Sequence, residues 1–240
     1  MSDVLVFVPA WNEEQNLPPV LDDLRRVLPR ADVLVVDDGS TDGTAEVSRE
    51  HGAEVLSLGR NRGLPVGIAA GYRWALEHDY AYCGRVDADG QHSAAELLRL
   101  LALVREDRCD VAVGSRFVSG EGYAPYRYRP DRARSFGTAV LRRAMALVLR
   151  RSFRDPTSGL YAVNAKALPL LAEEFTTEAP EVEALIRIVD AGLRLEEVPV
   201  DMAARASGES KLRGGKAVKV VLTIAGTLAA AKLLQSRRSR

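Results

Sequence analysis

Two carboxylates that stand one residue apart, Asp87 and Asp89, are the residues of this chain best suited to binding a metal ion. They follow the apolar run Ala81–Val86, which predicts a strand, so they lie where a strand gives way to a loop. Both can reach one hard cation, and Gln91 can add an oxygen. Because Mg²⁺ or Mn²⁺ held by few carboxylates keeps positions open for water and phosphate oxygens, this spacing favours a cofactor of that kind. The alternative interpretation is an acidic turn before a helix that starts at Ser93.

A second acidic pair, Asp37 and Asp38, follows the predicted strand Val33–Val36. The neighbouring Gly39 permits a tight turn, and Asp42 can cap the next helix. Capping accounts for Asp42, but it does not account for two adjacent carboxylates, which repel each other unless they have partners. Carboxylates at a strand end can accept hydrogen bonds from the N–H groups of a nucleobase or from ribose hydroxyls, so we interpret this pair as part of a nucleotide site.

Short apolar runs alternate with helical stretches through the first half of the chain and must position these carboxylates. Such alternation predicts an α/β fold, a doubly wound and mostly parallel sheet with helices on both faces. The predicted strands are Val4–Val8, Val33–Val36, Ala53–Ser57, Ala81–Val86 and Asp110–Val113, and the predicted helices cover about 13–28, 44–51, 65–78 and 94–105. Ligands of such sheets bind beyond the carboxyl ends of the strands, so we expect residues 9–13, 37–42 and 87–91 to converge on one crevice.

The second half of the chain has a different pattern. Residues 120–130, rich in Gly, Pro, Tyr and Arg, predict a loop, and a basic amphipathic helix is expected over about 132–151. Later predicted elements are short helices near 165–172 and 180–191, a strand at 195–200 and a final helix over about 216–234. The glycines at 63, 67 and 71 stand one helical turn apart and indicate close helix packing.

Composition and missing motifs exclude several classes of protein. The net charge of zero provides no global attraction to nucleic acid. No G-x-G-x-x-G follows the first strand, which argues against a dinucleotide-binding dehydrogenase, and Gly214-Gly215-Lys216 continues into Ala217, which does not fit a P-loop. Cys83 and Cys109 lie far apart in apolar runs and are expected to be buried, reduced thiols of a cytosolic protein.

Motifs along almost the whole chain resemble those of glycosyltransferase family 2, which has the GT-A fold, and within it the dolichyl-phosphate mannose synthase and polyprenyl-phosphate glycosyltransferase group. The matching segments are VPAWNEEQNL, VVDDGSTDGT, VDADGQH, VGSRF, DPTSGLYAVNAKAL, EVPV and the segment Arg205–Leu212. The early motifs occur across the family, whereas the DPTSG motif and the segment from Arg205 to Lys211 are more specific to the lipid-phosphate group.

The resemblance implies a role for each matching residue. The residues assigned to the nucleotide-sugar pocket are Pro9, Trp11 (where the family usually has Tyr), Glu13, Asp37, Asp38, Asp87 and Ala88. The residues assigned to the metal are Asp87, Asp89 and Gln91, and those assigned to the acceptor phosphate are Arg116, Arg132 and Ser210. Asp155 is expected beside the reaction centre, as a catalytic group together with Asp89 and Arg116. Arg205 and Lys211 are expected to close over the donor diphosphate.

The activity that the resemblance implies is an inverting transfer of a sugar from a GDP- or UDP-sugar to a polyprenyl phosphate. Two alternatives stay open: an enzyme of the same fold with a soluble hydroxyl acceptor, such as a natural product or cell-wall precursor, and a nucleotide-binding module without transferase activity. A hydroxyl acceptor needs a general base, whereas a phosphate is largely ionised at neutral pH and needs cations to receive it. Residues 121–155 contain nine Arg and three carboxylates, a local charge of +6 that favours an anionic acceptor.

The same region predicts contact with an anionic membrane surface. Its apolar residues recur at helical spacing with Arg among them, which is typical of a helix that lies in the headgroup plane. The C-terminal helix is basic at both ends, and its longest uncharged run, Val220–Ala231, has twelve residues, too few to span a bilayer. Because the N-terminus lacks a signal-peptide pattern, we expect a cytoplasmic protein that is peripheral on the inner face of the membrane, attached by its helices or by a small membrane partner protein.

The expected organisation has three parts: a GT-A catalytic domain over 1–203, a mobile segment over 204–215 that closes over the substrates, and an amphipathic C-terminal helix with a basic tail over 216–240. The middle segment contains Ser207, Gly208 and Ser210 among few large apolar residues, so it cannot pack well alone. Small residues in the last segment would also allow a homodimer through close helix contact.

Overall fold

A seven-stranded sheet forms the centre of the protein, seen in a computed structural model that describes residues 2–118, 120, 143, 145, 146 and 149–202. The strands are β1 (Val4–Ala10), β2 (Asp32–Asp37), β3 (Glu54–Ser57), β4 (Tyr82–Arg85), β5 (Val111–Ser115), β6 (Tyr161–Asn164) and β7 (Leu195–Pro199). Helices with bounds in the described residues are α1 (Leu17–Val27), α2 (Thr44–Glu50), α3 (Leu64–Glu77), α4 (Ala94–Arg105), α5 (Leu168–Leu171) and α6 (Pro180–Asp190).

The strand order is β3-β2-β1-β4-β6-β5-β7, and every strand except β6 runs in the same direction. This confirms the predicted doubly wound, mostly parallel sheet. Strand β1 has β2 on one side and β4 on the other, so the chain order reverses at β1. The edge of the sheet where β1, β2 and β4 end is called the carboxyl edge below, and the opposite edge is called the amino edge. Ala10 pairs with Asp37 at the carboxyl edge, which confirms the predicted convergence of the strand ends.

Alternate residues of the central strands face two separate cores. Leu5 and Phe7 of β1 pack with residues of α3, α5 and α6, whereas Val6 and Val8 pack with residues of α1 and α4. Helix α3 comes unusually close to β1, since a Cβ atom added at Gly71 would lie 2.3 Å from the Phe7 ring. The predicted close helix packing is therefore confirmed at Gly71. At Gly63 the glycine has a different role from the predicted helix packing. It precedes the first residue of α3 and has a φ of 95°, in the left-handed region that favours glycine.

Strand β6 is absent from the sequence-based prediction. It lies between β4 and β5, is antiparallel to both, and pairs Tyr161 with Arg85 on one side and with Val113 on the other. Its direction brings its first residue to the carboxyl edge, together with the segment 155–160 that precedes it. All four of its residues are buried. A buried run this short has no alternation that separates a strand from a helix segment, which is why the pattern did not reveal it.

Helix α1 begins at Leu17, later than the predicted start near Glu13. Its first turn contains Pro18, which fits there because the first helical N–H groups have no partner within the helix. Upstream, the carbonyl oxygen of Glu13 accepts hydrogen bonds of 3.0 Å from the N–H groups of Asn16 and Leu17, forming a turn. Residues 11–16 are therefore a loop at the carboxyl edge.

Several predictions lie outside the described residues. They concern the loop at 121–130, the segment 204–215, the helix at 216–234, and the residues Arg132, Arg205, Ser210 and Lys211. In the basic helix predicted over 132–151, residues 143, 145, 146 and 149 are described and helical. Met145 and Leu149, one turn apart, are buried in the core that contains α3. Of the helices in the described ranges, none has the length and apolar character needed to cross a membrane.

Candidate active site

The loops that follow β1 and β2 are tied together by hydrogen bonds between side chains and backbone. Ser40 Oγ accepts from the N–H of Asn12 at 2.9 Å, and Asn12 Oδ1 accepts from the N–H of Thr41 at 2.8 Å. Thr44 Oγ1 accepts from the N–H of Glu13 at 2.9 Å. The two loops therefore form one connected wall at the carboxyl edge.

Asp37 and Asp38 are both buried in this wall, each about 5% exposed. Asp38 Oδ1 accepts from the N–H of Arg62 and Asp38 Oδ2 accepts from the N–H of Gly63, both at 2.7 Å. Asp37 Oδ1 accepts from the N–H of Ser40 at 2.9 Å. Backbone donors thus relieve the repulsion between the adjacent carboxylates. Asp38 also holds the loop that precedes α3, a structural role that the sequence analysis missed.

The other residues assigned to the nucleotide pocket differ in exposure. Trp11 is 39% exposed at the carboxyl edge. The carboxylate of Glu13 accepts a hydrogen bond from Asn16 Nδ2 at 2.7 Å. Pro9 and Ala88 are buried, so their side chains contribute packing beneath the loops at this edge.

The residues predicted to hold a metal, Asp87, Asp89 and Gln91, belong to one short loop after β4, called the acidic loop below. Asp87 Oδ1 accepts from Nη2 of Arg85 at 3.1 Å, and Asp89 Oδ1 accepts from the N–H of Gln91 at 3.1 Å. Two carboxylates on one loop are a donor set that suits a hard divalent cation, whose remaining positions take phosphate and water oxygens. No group of three or more His, Cys, Asp or Glu side chains in the described parts of the chain is arranged to hold a metal ion.

Gly159, the glycine of the DPTSG motif, lies directly against Asp87. A Cβ atom added at this position would lie 2.1 Å from Asp87 Oδ2 and 2.7 Å from Asp87 Cγ. A side chain here would push the Asp87 carboxylate out of its position, so the glycine allows Asp87 to lie against this segment. The motif was visible in the sequence, but this contact between two distant segments was not.

A buried cation, Arg85, lies beneath Asp87. Its side chain is 2% exposed, and its Nη2 donates to Asp87 Oδ1 at 3.1 Å and to Glu181 Oε1 at 2.8 Å. Tyr72 and Tyr161 lie in the same cluster, and burial raises the pKa of both hydroxyls, so both are neutral. Sequence reasoning missed Arg85 and Glu181. The available signal was an arginine inside an apolar strand.

The side chain of His92 is hydrogen-bonded to the backbone of the acidic loop. Its Nδ1 accepts from the N–H of Asp87 at 3.3 Å, which fits a neutral imidazole with its proton on Nε2. Burial lowers the pKa of His92, although the charges of Asp87 and Asp89 act in the opposite direction. The backbone of His92 also forms a bridge with Met202. The last described residues of the chain therefore lie beside the acidic loop.

Arg116, which follows β5, is fixed by Asp155. Its Nε and Nη2 donate to the two carboxylate oxygens of Asp155, each at 2.7 Å, and its backbone N–H donates to the same carboxylate at 3.1 Å. The Asp155 side chain is fully buried, while that of Arg116 is 27% exposed. Arg116 also donates to Thr157, and Gly159 two residues later lies against Asp87, so Arg116 lies close to the acidic loop. The structure therefore brings Arg116 and Asp155 together.

The backbone of the DPTSG motif is anchored from β7. Glu197 Oε1 accepts from the N–H of Arg154 at 3.0 Å and from the N–H of Asp155 at 2.9 Å. Thr157 Oγ1 accepts a further hydrogen bond from Arg116 at 3.1 Å. With its oxygens engaged by Arg116, the Asp155 carboxylate has the geometry of a group that positions Arg116.

Comparisons with known proteins show which family the chain is similar to. The model of the family "Glycosyl transferase family 2" matches residues 5–168. The chain is 34% identical over 229 residues to an undecaprenyl-phosphate mannosyltransferase from Micrococcus luteus, covering 92% of each chain. It is 29% identical to a polyprenol monophosphomannose synthase from Mycolicibacterium smegmatis, covering 92% of this chain and 85% of that protein.

A solved structure of glucosyl-3-phosphoglycerate synthase from Mycobacterium tuberculosis, in complex with Mn²⁺, UDP-glucose and phosphoglyceric acid, has the same fold. The TM-score is 0.68 at 20% identity, covering 95% of this chain and 79% of that chain. Another structure of that enzyme is in complex with Mg²⁺ and UDP. The expected GT-A fold is confirmed by this likeness. The family match and the 34% identical relative together show that this chain is a glycosyltransferase that belongs to family 2.

Proposed function

We propose that this enzyme transfers a sugar, with inversion, from a nucleotide-sugar to a polyprenyl phosphate. The observation that carries the proposal is the pair of Arg116 and Asp155, in which a guanidinium close to the acidic loop is fixed by two hydrogen bonds of 2.7 Å. A planar guanidinium in a fixed orientation suits phosphate oxygens. The names of the two relatives, an undecaprenyl-phosphate mannosyltransferase and a polyprenol monophosphomannose synthase, support the same acceptor class.

A phosphate acceptor agrees with the hydrogen bonds that Asp155 forms, since both of its carboxylate oxygens accept from Arg116. An oxygen of the acceptor phosphate attacks C1 of the sugar as the bond from C1 to the donor diphosphate breaks, and the nucleoside diphosphate leaves. Attack from the opposite face inverts the configuration at C1. A phosphate monoester has a second pKa of about 6, so it is largely dianionic at neutral pH and needs no general base. A buried carboxylate bound to Arg116 is consistent with a mechanism without a base.

Asp87 and Asp89 are the residues that we expect to hold Mg²⁺ or Mn²⁺, with Gln91 as a further oxygen ligand. The Asp87 side chain is 34% exposed, although Arg85 and Gly159 pack against it, so a ligand can reach its carboxylate. When bound, the cation neutralises the negative charge that develops on the leaving diphosphate. Mn²⁺ and Mg²⁺ in the structures of the mycobacterial relative support this choice of metal.

The nucleotide is proposed to bind against the wall formed together by the loops after β1 and β2. Trp11 would contact the base, Glu13 and Asp37 would accept hydrogen bonds, and Asp38 would hold the loop before α3 in place. Arg205 and Lys211, outside the described residues, would close over the diphosphate. The bridge between His92 and Met202 supports this assignment, because the chain that carries both cations continues from a point beside the acidic loop.

A donor and acceptor screen tests the proposal. GDP-mannose, UDP-glucose and other nucleotide-sugars are supplied with Mn²⁺, and nucleotide release is measured with a short polyprenyl phosphate. Matched controls are the same polyprenol without its phosphate, a short alkyl phosphate without the isoprenoid, and 3-phosphoglycerate. We expect nucleotide release with the polyprenyl phosphate and none with the polyprenol. Equal release with the polyprenol would refute a phosphate acceptor, and preference for 3-phosphoglycerate would establish a soluble acceptor instead.

We further propose that the enzyme binds the surface of an anionic membrane, where such an acceptor resides. The local charge of +6 over 121–155 supports this, as does the exposure of Arg143 in a helix whose Met145 and Leu149 dock on the core. Each basic residue near an anionic surface contributes about 1 kcal/mol.

Sedimentation with anionic liposomes at low and high salt measures this binding. Arg142→Glu/Arg143→Glu should weaken it, while the matched pair Arg25→Glu/Arg26→Glu on α1 should not. A wild-type enzyme that ignores anionic liposomes contradicts the membrane proposal and leaves the phosphate-acceptor proposal to the screen above.

A further inference from the structure

We propose that Glu181 sets the affinity of the acidic loop for its divalent cation by sharing the charge of Arg85. The inference rests on the proposed metal site at Asp87 and Asp89. A single nitrogen of Arg85, Nη2, donates to Asp87 Oδ1 at 3.1 Å and to Glu181 Oε1 at 2.8 Å, so the shorter bond goes to Glu181. Glu181 therefore neutralises part of the positive charge of Arg85, which would otherwise compensate Asp87 alone.

The charges around the acidic loop sum to −2, equal and opposite to those of a divalent cation, only when Glu181 is counted. Asp87, Asp89 and Glu181 are negative and Arg85 is positive, which leaves a net charge of −2. Without Glu181 the buried guanidinium would cancel Asp87, and the loop would present a net charge of −1. The neighbouring Arg116 does not alter this balance because Asp155 compensates it.

Arg85 is poorly explained by a contribution to stability. Its side chain is 2% exposed, and its Nε has no hydrogen-bond partner among the described residues. Removing a guanidinium from water costs free energy that pairing recovers only when the remaining donors are satisfied. An apolar side chain of similar volume would serve the core at least as well. The position of Arg85 beneath Asp87 is explained instead by the positive charge that it places beside that carboxylate.

The position of Glu181 is fixed by the fold. It lies in the first turn of α6, and the hydroxyl of Tyr161 in β6 donates to its carbonyl oxygen at 3.4 Å. Strand β6 pairs with β4, which carries Arg85. The same strand therefore connects the helix that carries Glu181 to the strand that leads into the acidic loop. Glu181 acts on the cation through Arg85, which makes it a positioning residue.

Direct binding of Mn²⁺ tests the inference without relying on turnover. Electron paramagnetic resonance measures free Mn²⁺ in the presence of the full chain, alone and with UDP or GDP. Because removing one charge at this range weakens the attraction for a divalent ion, Glu181→Gln should raise the dissociation constant of Mn²⁺ about tenfold. Glu181→Asp should retain most of the affinity, since it keeps the charge.

The matched control is Glu183→Gln in the same helix. Glu183 is buried where Glu181 is partly buried, and its partners are Arg187 at 2.7 Å and the N–H groups of Thr176 and Thr177 at 2.9–3.0 Å. Its loss should lower the thermal midpoint and leave the affinity for Mn²⁺ unchanged. An equal loss of affinity in both variants would show a general loosening of α6 and would overturn the inference.

The double variant Arg85→Gln/Glu181→Gln separates charge from structure. It removes the uncompensated cation, so it should bind Mn²⁺ more tightly than Glu181→Gln alone, whereas a purely structural role predicts no recovery. Circular dichroism checks its fold, and if it does not fold, the comparison of Glu181→Gln with Glu183→Gln decides. Wild type that binds no Mn²⁺ under any condition refutes the metal site and with it the metal-dependent mechanism. Equal binding by wild type and Glu181→Gln refutes only the inference.

Discussion

The two edges of the sheet use their carboxylates in opposite ways. At the amino edge, Asp110 accepts hydrogen bonds from Nε, Nη2 and the backbone N–H of Arg194 and from Nδ2 of Asn164, at 2.9–3.1 Å. At the carboxyl edge, Asp87 shares the cation Arg85 with Glu181. Asp110 is committed to joining β5, β6 and β7, whereas the cation beneath Asp87 is divided between two carboxylates. An acidic side chain is therefore structural or available for a ligand according to how its partners are distributed.

The largest effect is expected from Asp89→Ala at the carboxyl edge. Loss of one of two carboxylates from the cation should reduce transfer by about 10³-fold, because charge on the leaving diphosphate is no longer neutralised. The thermal midpoint should change little, and nucleotide release together with circular dichroism measures both quantities. EDTA should reproduce the effect in wild type. Full activity in EDTA would show that the metal assignment is wrong.

Asp110→Asn should produce the reverse, a loss of stability without loss of catalysis. Several charge-assisted hydrogen bonds weaken together, so we expect the free energy of unfolding to fall by about 2–3 kcal/mol. At a temperature where the variant is folded, kcat should equal that of wild type. Urea unfolding and initial rates measure the two properties, and a fall in kcat of the folded variant would contradict the separation of the edges.

The same variant has a defined pH dependence. The hydrogen bonds from Arg194 hold the pKa of Asp110 well below its ordinary value of 3.8. A depressed carboxyl pKa contributes stability that is present above the unfolded value and is lost as the pH falls through the folded value. The stability difference between wild type and Asp110→Asn should therefore be constant from about pH 8 to about pH 5 and shrink below about pH 4. Urea titrations at each pH check this, and a difference that grows in acid would contradict it.

Asp38→Asn tests whether a structural carboxylate at the carboxyl edge also affects the ligand. An amide has one acceptor oxygen for the two N–H groups that Asp38 now binds, so we expect a loss of about 1–2 kcal/mol and a several-fold higher KM for the donor. The control is Asp32→Asn at the other end of β2, where the partner is the hydroxyl of Tyr80 at 2.8 Å. A similar rise in KM in the control would show that the effect is not specific to this edge.

The smallest effect is expected from Asp3→Asn at the amino edge. Asp3 accepts from Nη2 of Arg105 at 2.5 and 2.7 Å, but both side chains are about half exposed. Exposed ion pairs contribute under about 1 kcal/mol, so the free energy of unfolding should change by less than about 0.5 kcal/mol. Urea unfolding beside Asp110→Asn compares an exposed carboxylate with a buried one. A loss as large as that of Asp110→Asn would show that burial is not what separates them.

The sequence predicted the first half of the fold and the placement of the acidic clusters because those features are local. Apolar runs followed by polar residues fall at strand ends, and parallel strands bring such ends to one edge. The buried, unpaired Cys83 and Cys109 were also predicted correctly. Strand β6 was not predicted, since its four buried residues have no alternation.

The missing parts of the site depend on contacts between distant segments. Gly159 meets Asp87, and Glu181 meets Arg85 across 96 residues of chain. No spacing in a single sequence indicates such a pair. Arg85 itself could have been noticed, because a charged side chain inside a buried strand requires a partner. The roles assigned to the nucleotide and acceptor residues stay predictions.

The antiparallel strand β6 also has a consequence for how the chain reaches its folded state. Strands β1 to β4 and the acidic loop belong to the first 91 residues, and these strands can pair while the rest of the chain is being synthesised. Before β6 has been synthesised and has paired with β4, β4 is an edge strand with unpaired backbone groups, and such edges are prone to aggregation. Its pairing with residues 161–164 closes a long stretch of chain, a slow event by loop-closure entropy. A nascent chain of this enzyme is therefore most vulnerable to aggregation between the synthesis of β4 and the insertion of β6, and a chaperone that covers β4 during that interval would protect it.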